Sequence, residues 1–234
     1  MPSDSTTAKL VEKQMRNWEI ARQQRPQVER DQGQKQVEDF VTISREVAAG
    51  GYAVAEQLGR RLGWPVFDKE ILQYMAGDNQ VRARLYEKMD ERDTNWLESV
   101  LRWLLQGEFR KEDYFHRLSE AVLALARQGP AVFLGRCADL ILPADRGLRV
   151  RLLAPEETRV REHARRNRCD EKTARAQIEH IEHERAEFCR RVFGPDRAAC
   201  PTRFDLTLNL GRVSQNDAVE LIVTTLRLRG AQPT

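Results

Sequence analysis

FVTISREVAAGGYAVA, residues Phe40–Ala55, is the stretch on which the fold turns. Phe40, Val41, Thr42 and Ile43 form an apolar, β-branched run that reads as a strand, and it reaches the polar pair Ser44-Arg45. The small residues Ala48-Ala49-Gly50-Gly51 follow. Val54, Leu58 and Leu62 then fall at helical spacing among Glu56, Gln57, Arg60 and Arg61. A strand, a small-residue turn and a helix in that order point backbone N–H groups and a helix N-terminus at an anion. Glycine permits the close approach of backbone to phosphate. The same layout is also an ordinary turn of a parallel sheet, so both readings stand on this stretch alone.

The P-loop pattern is G-x-x-x-x-G-K-[ST], in which lysine reaches the β- and γ-phosphates and the hydroxyl binds Mg²⁺. With Gly50 at the second glycine, the lysine position is Gly51, followed by Tyr52 and Ala53. The loop has the layout of a P-loop without its two chemical side chains.

Outward from this stretch, 234 residues suffice for one or two domains with a sizeable core. The net charge of +3 carries no nucleic-acid signature. Arginine outnumbers lysine and clusters late in the chain; its planar fork suits phosphates and surface ion pairs alike. Cys137, Cys169, Cys189 and Cys200 are widely spaced without a CxxC, which suggests neither a zinc site nor a disulfide framework. No signal peptide or apolar run of membrane length is seen, so a reduced, cytoplasmic setting without membrane or nucleic-acid partners is the expectation.

Residues 1–38 read as an extension: a helix over roughly 8–23, stopped at Arg25-Pro26, then a polar linker. This segment could pack on its own domain, self-associate or contact a protein partner. Residues 39–230 read as one domain. Leu62-Gly63 closes the first helix, Val66-Phe67 is a short strand ending in Asp68, and Lys69 opens another helix. Residues 78–128 read as a helical insertion with Trp96, Leu97, Val100, Leu101, Leu104 and Leu105 on one face. Ala131–Leu134 reads as a buried strand ending in Gly135-Arg136, and Leu148–Ala154 as the next. Residues 155–195 form a charged helical hairpin opened by Pro155-Glu156-Glu157. Phe204–Leu210 is a last strand and Val213–Leu228 a closing helix, with Val219, Leu221, Ile222 and Leu226 inward. Such alternation predicts an α/β fold with a parallel sheet covered on both faces.

Ligands of such sheets sit at the carboxyl ends of the strands. Here those ends carry Ser44-Arg45, Asp68-Lys69 and Gly135-Arg136, and the arginine-rich hairpin follows the fourth strand. Cations predominate, which favours a polyphosphate ligand under an arginine-rich lid. The ordinary alternatives remain open: Asp68 as a helix cap, Lys69 facing solvent, Arg161 paired with Glu157, His180 and His183 as surface residues, and Trp96 and Trp103 as packing groups.

TISRE…GG, LGWPVFDKEIL, VFLGRCADLIL, VRLLAPEETRV, IEHERAEFCRRVFG and FDLTLNLGRVS occur in this order between Phe40 and Leu228. Together they resemble the cytidylate kinase-like family, a branch of the P-loop nucleoside monophosphate kinases. The resemblance implies a three-layer α/β/α P-loop kinase-like domain with a helical insertion and a helical lid. It implies phosphoryl transfer from ATP, with Mg²⁺, to a nucleoside monophosphate. By position it implies that Ser44, Arg45, Ala48, Ala49, Gly50, Gly51 and Tyr52 contact the donor nucleotide. Arg161, Arg165 and Arg185 of the lid would reach its phosphates, Arg136 and Gly135 the acceptor phosphate, and Asp68 and Lys69 would sit at the acceptor side or help the metal through water. Glu182 matches an aspartate that members often place three residues before the lid arginine. Members often read GSGG followed by arginine where this chain reads Ala48-Ala49-Gly50-Gly51-Tyr52, so a catalytically weak or inactive module that binds a nucleotide or partner is the alternative expectation.

Overall fold

The computed structural model describes residues 39–77, 91–104 and 113–230. The N-terminal helix expected over 8–23, the stretches 78–90 and 105–112 of the insertion, and the side chains of Trp96, Trp103 and Leu104 lie outside the described residues.

Buried apolar runs make the strands: β1 (Phe40–Arg45), β2 (Val66–Phe67), β3 (Ala131–Leu134), β4 (Leu148–Leu153) and β5 (Leu206–Asn209). They form one five-stranded sheet in the order β2-β3-β1-β4-β5. The pairs β1–β4, β2–β3 and β4–β5 are parallel, with Ser44 opposite Arg151 and Arg45 opposite Leu152. The connections are helical: α1 (Gly51–Leu62), α2 (Lys69–Gly77), α3 (Glu91–Leu104), α4 (Asp113–Gln128), α5 (Ala138–Ile141), α6 (Glu156–Asn167), α7 (Glu171–Phe193), α8 (Pro195–Ala198) and α9 (Gln215–Gly230). The parallel α/β sheet flanked by helices is the fold class expected from the alternation of strand and helix patterns.

The described residues group into two compact units, one within Met1–Phe40 and Gly63–Gly147, the other within Val41–Leu62 and Leu148–Thr234. In the first, α2 and α3 pack on α4. Its core includes Phe67, Leu72, Met75, Leu97, Phe115, Leu118 and Phe133, all essentially without solvent exposure. The rings of Phe67 and Phe133 lie 5.6 Å apart, within the range of favourable aromatic pairs. Gly147, at φ 65, lies against the fully buried Phe40 ring, so an added β-carbon would come 2.2 Å from that ring.

In the second unit α9 packs on α1, and α6 on α7. Val41, Ile43, Val54, Leu58, Val150 and Leu152 build its core. Ala218, Val219, Ile222 and Val223 form the inward face of α9, while Leu221 is 44% exposed. The face is set by positions three and four apart, and Leu221 falls between them, contrary to its expected inward position. Gly63 takes φ 66 just after α1, the left-handed residue that a helix C-terminus calls for.

Candidate functional site: a phosphate-type loop under an arginine-rich hairpin

The loop after β1 is anchored by its own sequence. Val47 is buried with Val160, Ala174 and Ile178 of the hairpin, and Ala48, Ala164, Cys169 and Ile181 pack against this cluster. Its backbone N–H donates to Glu182 Oε1 at 3.0 Å. Ala49 N–H turns back to the Glu46 carbonyl at 3.4 Å, and Val54 N–H donates to Gly50 as α1 begins. Ala48 at φ 60 and Gly50 at φ 83 are left-handed, so the loop curls sharply before the helix. Among the described residues, the N–H groups of Ala48, Gly50 and Gly51 have no acceptor. Three donors without acceptors at the N-terminus of a twelve-residue helix are suited to an anion. Tyr52 is 54% exposed, so its ring does not close over the loop as a buried plug.

A second arrangement ties this loop to the hairpin. Arg159, on α6, is only 8% exposed. Its Nη1 donates to Glu182 Oε1 at 2.7 Å, and its Nε donates to the Ala154 carbonyl at 3.2 Å and lies 3.4 Å from Glu46 Oε2. Glu46 Oε2 also accepts from the Ala154 N–H at 3.0 Å. One nearly buried guanidinium thus joins the acid that precedes Val47 to the acid that holds Val47. A charged group taken from water needs such compensation. Sequence reading placed Glu182 by resemblance but gave Arg159 and Glu46 no role.

The other arginines of the hairpin are exposed, apart from the half-buried Arg175. Arg161 donates from Nε to the Glu157 carbonyl at 3.2 Å, while the Glu157 carboxylate pairs with Arg175 Nη2 at 3.1 Å. The side-chain pair expected between Glu157 and Arg161 is therefore replaced by Glu157–Arg175. Arg165 is paired with Glu162 at 2.9 Å, and Arg166 reaches the same carboxylate. The Arg165 hydrogen bond, helped by Arg166, holds the Glu162 carboxyl down to about 2. Arg185 reaches the loop strand itself, its Nη1 3.5 Å from the carbonyl oxygen of Arg45. Ser44 and Arg45 are half-buried at the end of β1. His180 and His183 are exposed beside Glu184 and Glu187. Among the described residues no group of three His, Cys, Asp or Glu side chains is placed to hold a metal.

The other unit carries the remaining candidates. Asp68 Oδ1 accepts from the N–H groups of Glu70 and Ile71, both at 3.0 Å, so it caps α2. Lys69 is exposed. Gly135, Arg136 and Cys137 take φ values of 78, 56 and 53 in succession. Three left-handed residues in a row hold Arg136 in a costly conformation. Its Nε is buried without a hydrogen-bond partner among the described residues. Arg136 thus combines backbone strain with a buried donor that has no partner among the described residues.

The model of the cytidylate kinase-like family matches residues 40–212. Compared with curated proteins, the chain matches none. Among solved structures, an uncharacterized protein from Eubacterium ventriosum ATCC 27560 is 22% identical with a TM-score of 0.62, covering 82% of this chain and 99% of that one. The YorR protein of Bacillus subtilis, in complex with phosphorylated GDP, is 12% identical with a TM-score of 0.43, covering 83% of this chain and 99% of that one. A shikimate kinase from Bacteroides thetaiotaomicron is 12% identical with a TM-score of 0.42, covering 81% of this chain and 97% of that one. The first of these shows a shared fold.

Proposed function

Since the chain belongs to the cytidylate kinase-like family, we propose that it is an ATP-dependent phosphotransferase whose acceptor is a nucleoside monophosphate. The observation that carries this reading is the loop after β1, with the N–H groups of Ala48, Gly50 and Gly51 lacking acceptors among the described residues. Those amides and the end of α1 would hold the donor phosphates. Arg161, Arg165 and Arg185 would close on the same phosphates from the hairpin, Arg165 only by leaving Glu162. Arg136 and Gly135 would bind the acceptor phosphate, and Lys69 would serve the acceptor side. Asp68, committed to capping α2, would act there by shaping the turn.

ATP supplies the phosphoryl group. The transfer passes through a loose transition state, so donors and cations that spread its charge carry most of the catalysis. Mg²⁺ would enter with the nucleotide, bound to its phosphate oxygens and waters.

A specific observation favours the second reading, a nucleotide-binding regulatory module with little turnover: positions 51 and 52 carry Gly and Tyr in place of lysine and a hydroxyl. One missing transition-state cation is worth about 10³–10⁵ in rate. The test is transfer of label from γ-labelled ATP to a panel of nucleoside monophosphates by the full chain. The phosphotransferase reading expects a labelled diphosphate that disappears in Arg136→Ala. Tight ATP binding without transfer to any acceptor would replace it with the second reading.

A further inference from the structure

Counting back five residues from Gly50 along the P-loop pattern puts Arg45 at the first-glycine position, while Gly51 stands at the lysine position. Glycine and cation have exchanged ends of the loop. In the fold the two positions meet. A β-carbon added to Gly51 would lie 2.7 Å from Cγ of Arg45, 2.9 Å from its Cβ and 3.4 Å from its Cδ. The space where a lysine at residue 51 would start is filled by the aliphatic stem of Arg45. No side chain fits at Gly51 while that stem is there, which accounts for glycine at a position that does not have positive φ. Arg185 Nη1 comes to the carbonyl of the same residue at 3.5 Å, so a cation of the hairpin converges there too.

We propose that Arg45 is the cation of the donor-phosphate site, reaching the phosphates across Gly51 in place of the absent lysine. The proposal rests on the reading of the loop as the ATP site, and names the residue that makes that site work. An arginine suits the role: its guanidinium stays charged at any working pH and can grip two phosphate oxygens at once, where a lysine offers a point charge.

The test is calorimetric titration of the full chain with ATP and with AMP, for wild type, Arg45→Ala, Arg45→Lys and the double variant Arg45→Gly/Gly51→Lys, with thermal unfolding of each. Arg45→Ala is expected to weaken ATP by about 10- to 100-fold, the loss of a charge-assisted contact, while AMP changes far less. Arg45→Lys falls in between. The double variant restores the P-loop order of glycine and lysine, and recovers most of the ATP affinity. Equal ATP binding by wild type and a folded Arg45→Ala overturns the role of Arg45 and leaves the loop as the ATP site. Wild type that binds no ATP at millimolar concentration overturns the loop reading and the proposal together. If Arg45→Ala does not fold, the double variant decides: ATP binding by it supports the exchange of positions, and its loss in the folded protein contradicts it.

Discussion

Arg136 brings together a backbone in the left-handed region and a buried Nε without a partner among the described residues. A left-handed non-glycine residue costs about 1–2 kcal/mol, and an orphaned buried donor adds to that. Both costs disappear in Arg136→Gly, against the extra chain entropy of glycine, about 0.5–1 kcal/mol. Urea unfolding should therefore find Arg136→Gly as stable as wild type or slightly more so, while its acceptor KM rises at least about tenfold. A clear loss of stability with unchanged KM would make Arg136 a structural residue. The sequence pointed to Arg136 because it follows a buried apolar run, a strong local signal. Ala48 shows the limit: nothing about an alanine announces φ 60, and the loop's curl there is imposed by Val47 packing beneath the hairpin.

The strands and helices were legible because their patterns are local: the β-branched run of β1, the fully buried β3, and the arginines and acids of α6 and α7. The latch between loop and hairpin was not, because it joins residues 46, 159 and 182, far apart in the chain and recognisable only by burial. Glu182→Ala strips a nearly buried guanidinium of one acid and the Val47 N–H of its acceptor. It should cost about 1–3 kcal/mol and speed hydrogen exchange at the Val47 amide; unchanged exchange there would deny the latch. On the outer face of the hairpin, Glu162 has a carboxyl held at about 2, against 4.5 for its ordinary value. Its contribution is complete above about pH 4.5 and is lost as pH falls towards 2. Because the pair lies near solvent, that contribution is below about 1 kcal/mol. The stability difference between wild type and Glu162→Gln should narrow as pH is lowered through this window, and a difference independent of pH would contradict the pairing. The hydrogen bond from the Thr173 N–H lowers Asp170, the cap of α7, in the same direction.

At the scale of the whole molecule, six segments in order across the chain carried the family resemblance, and the family match over residues 40–212 agrees with it. The fold class was readable because alternating strands and helices imply a parallel sheet covered on both faces, whereas the order of its strands was not read from the sequence. Chemistry was less so, since the side chains that usually define a P-loop are absent and their work depends on which residues meet in space. The most direct test is a backbone amide NMR titration of the full chain with ATP. The account predicts that the amides of Ala48, Gly50 and Gly51 shift most, with small changes on the outer face of α9 around Leu221. Loop amides unmoved at millimolar ATP would contradict a donor site after β1.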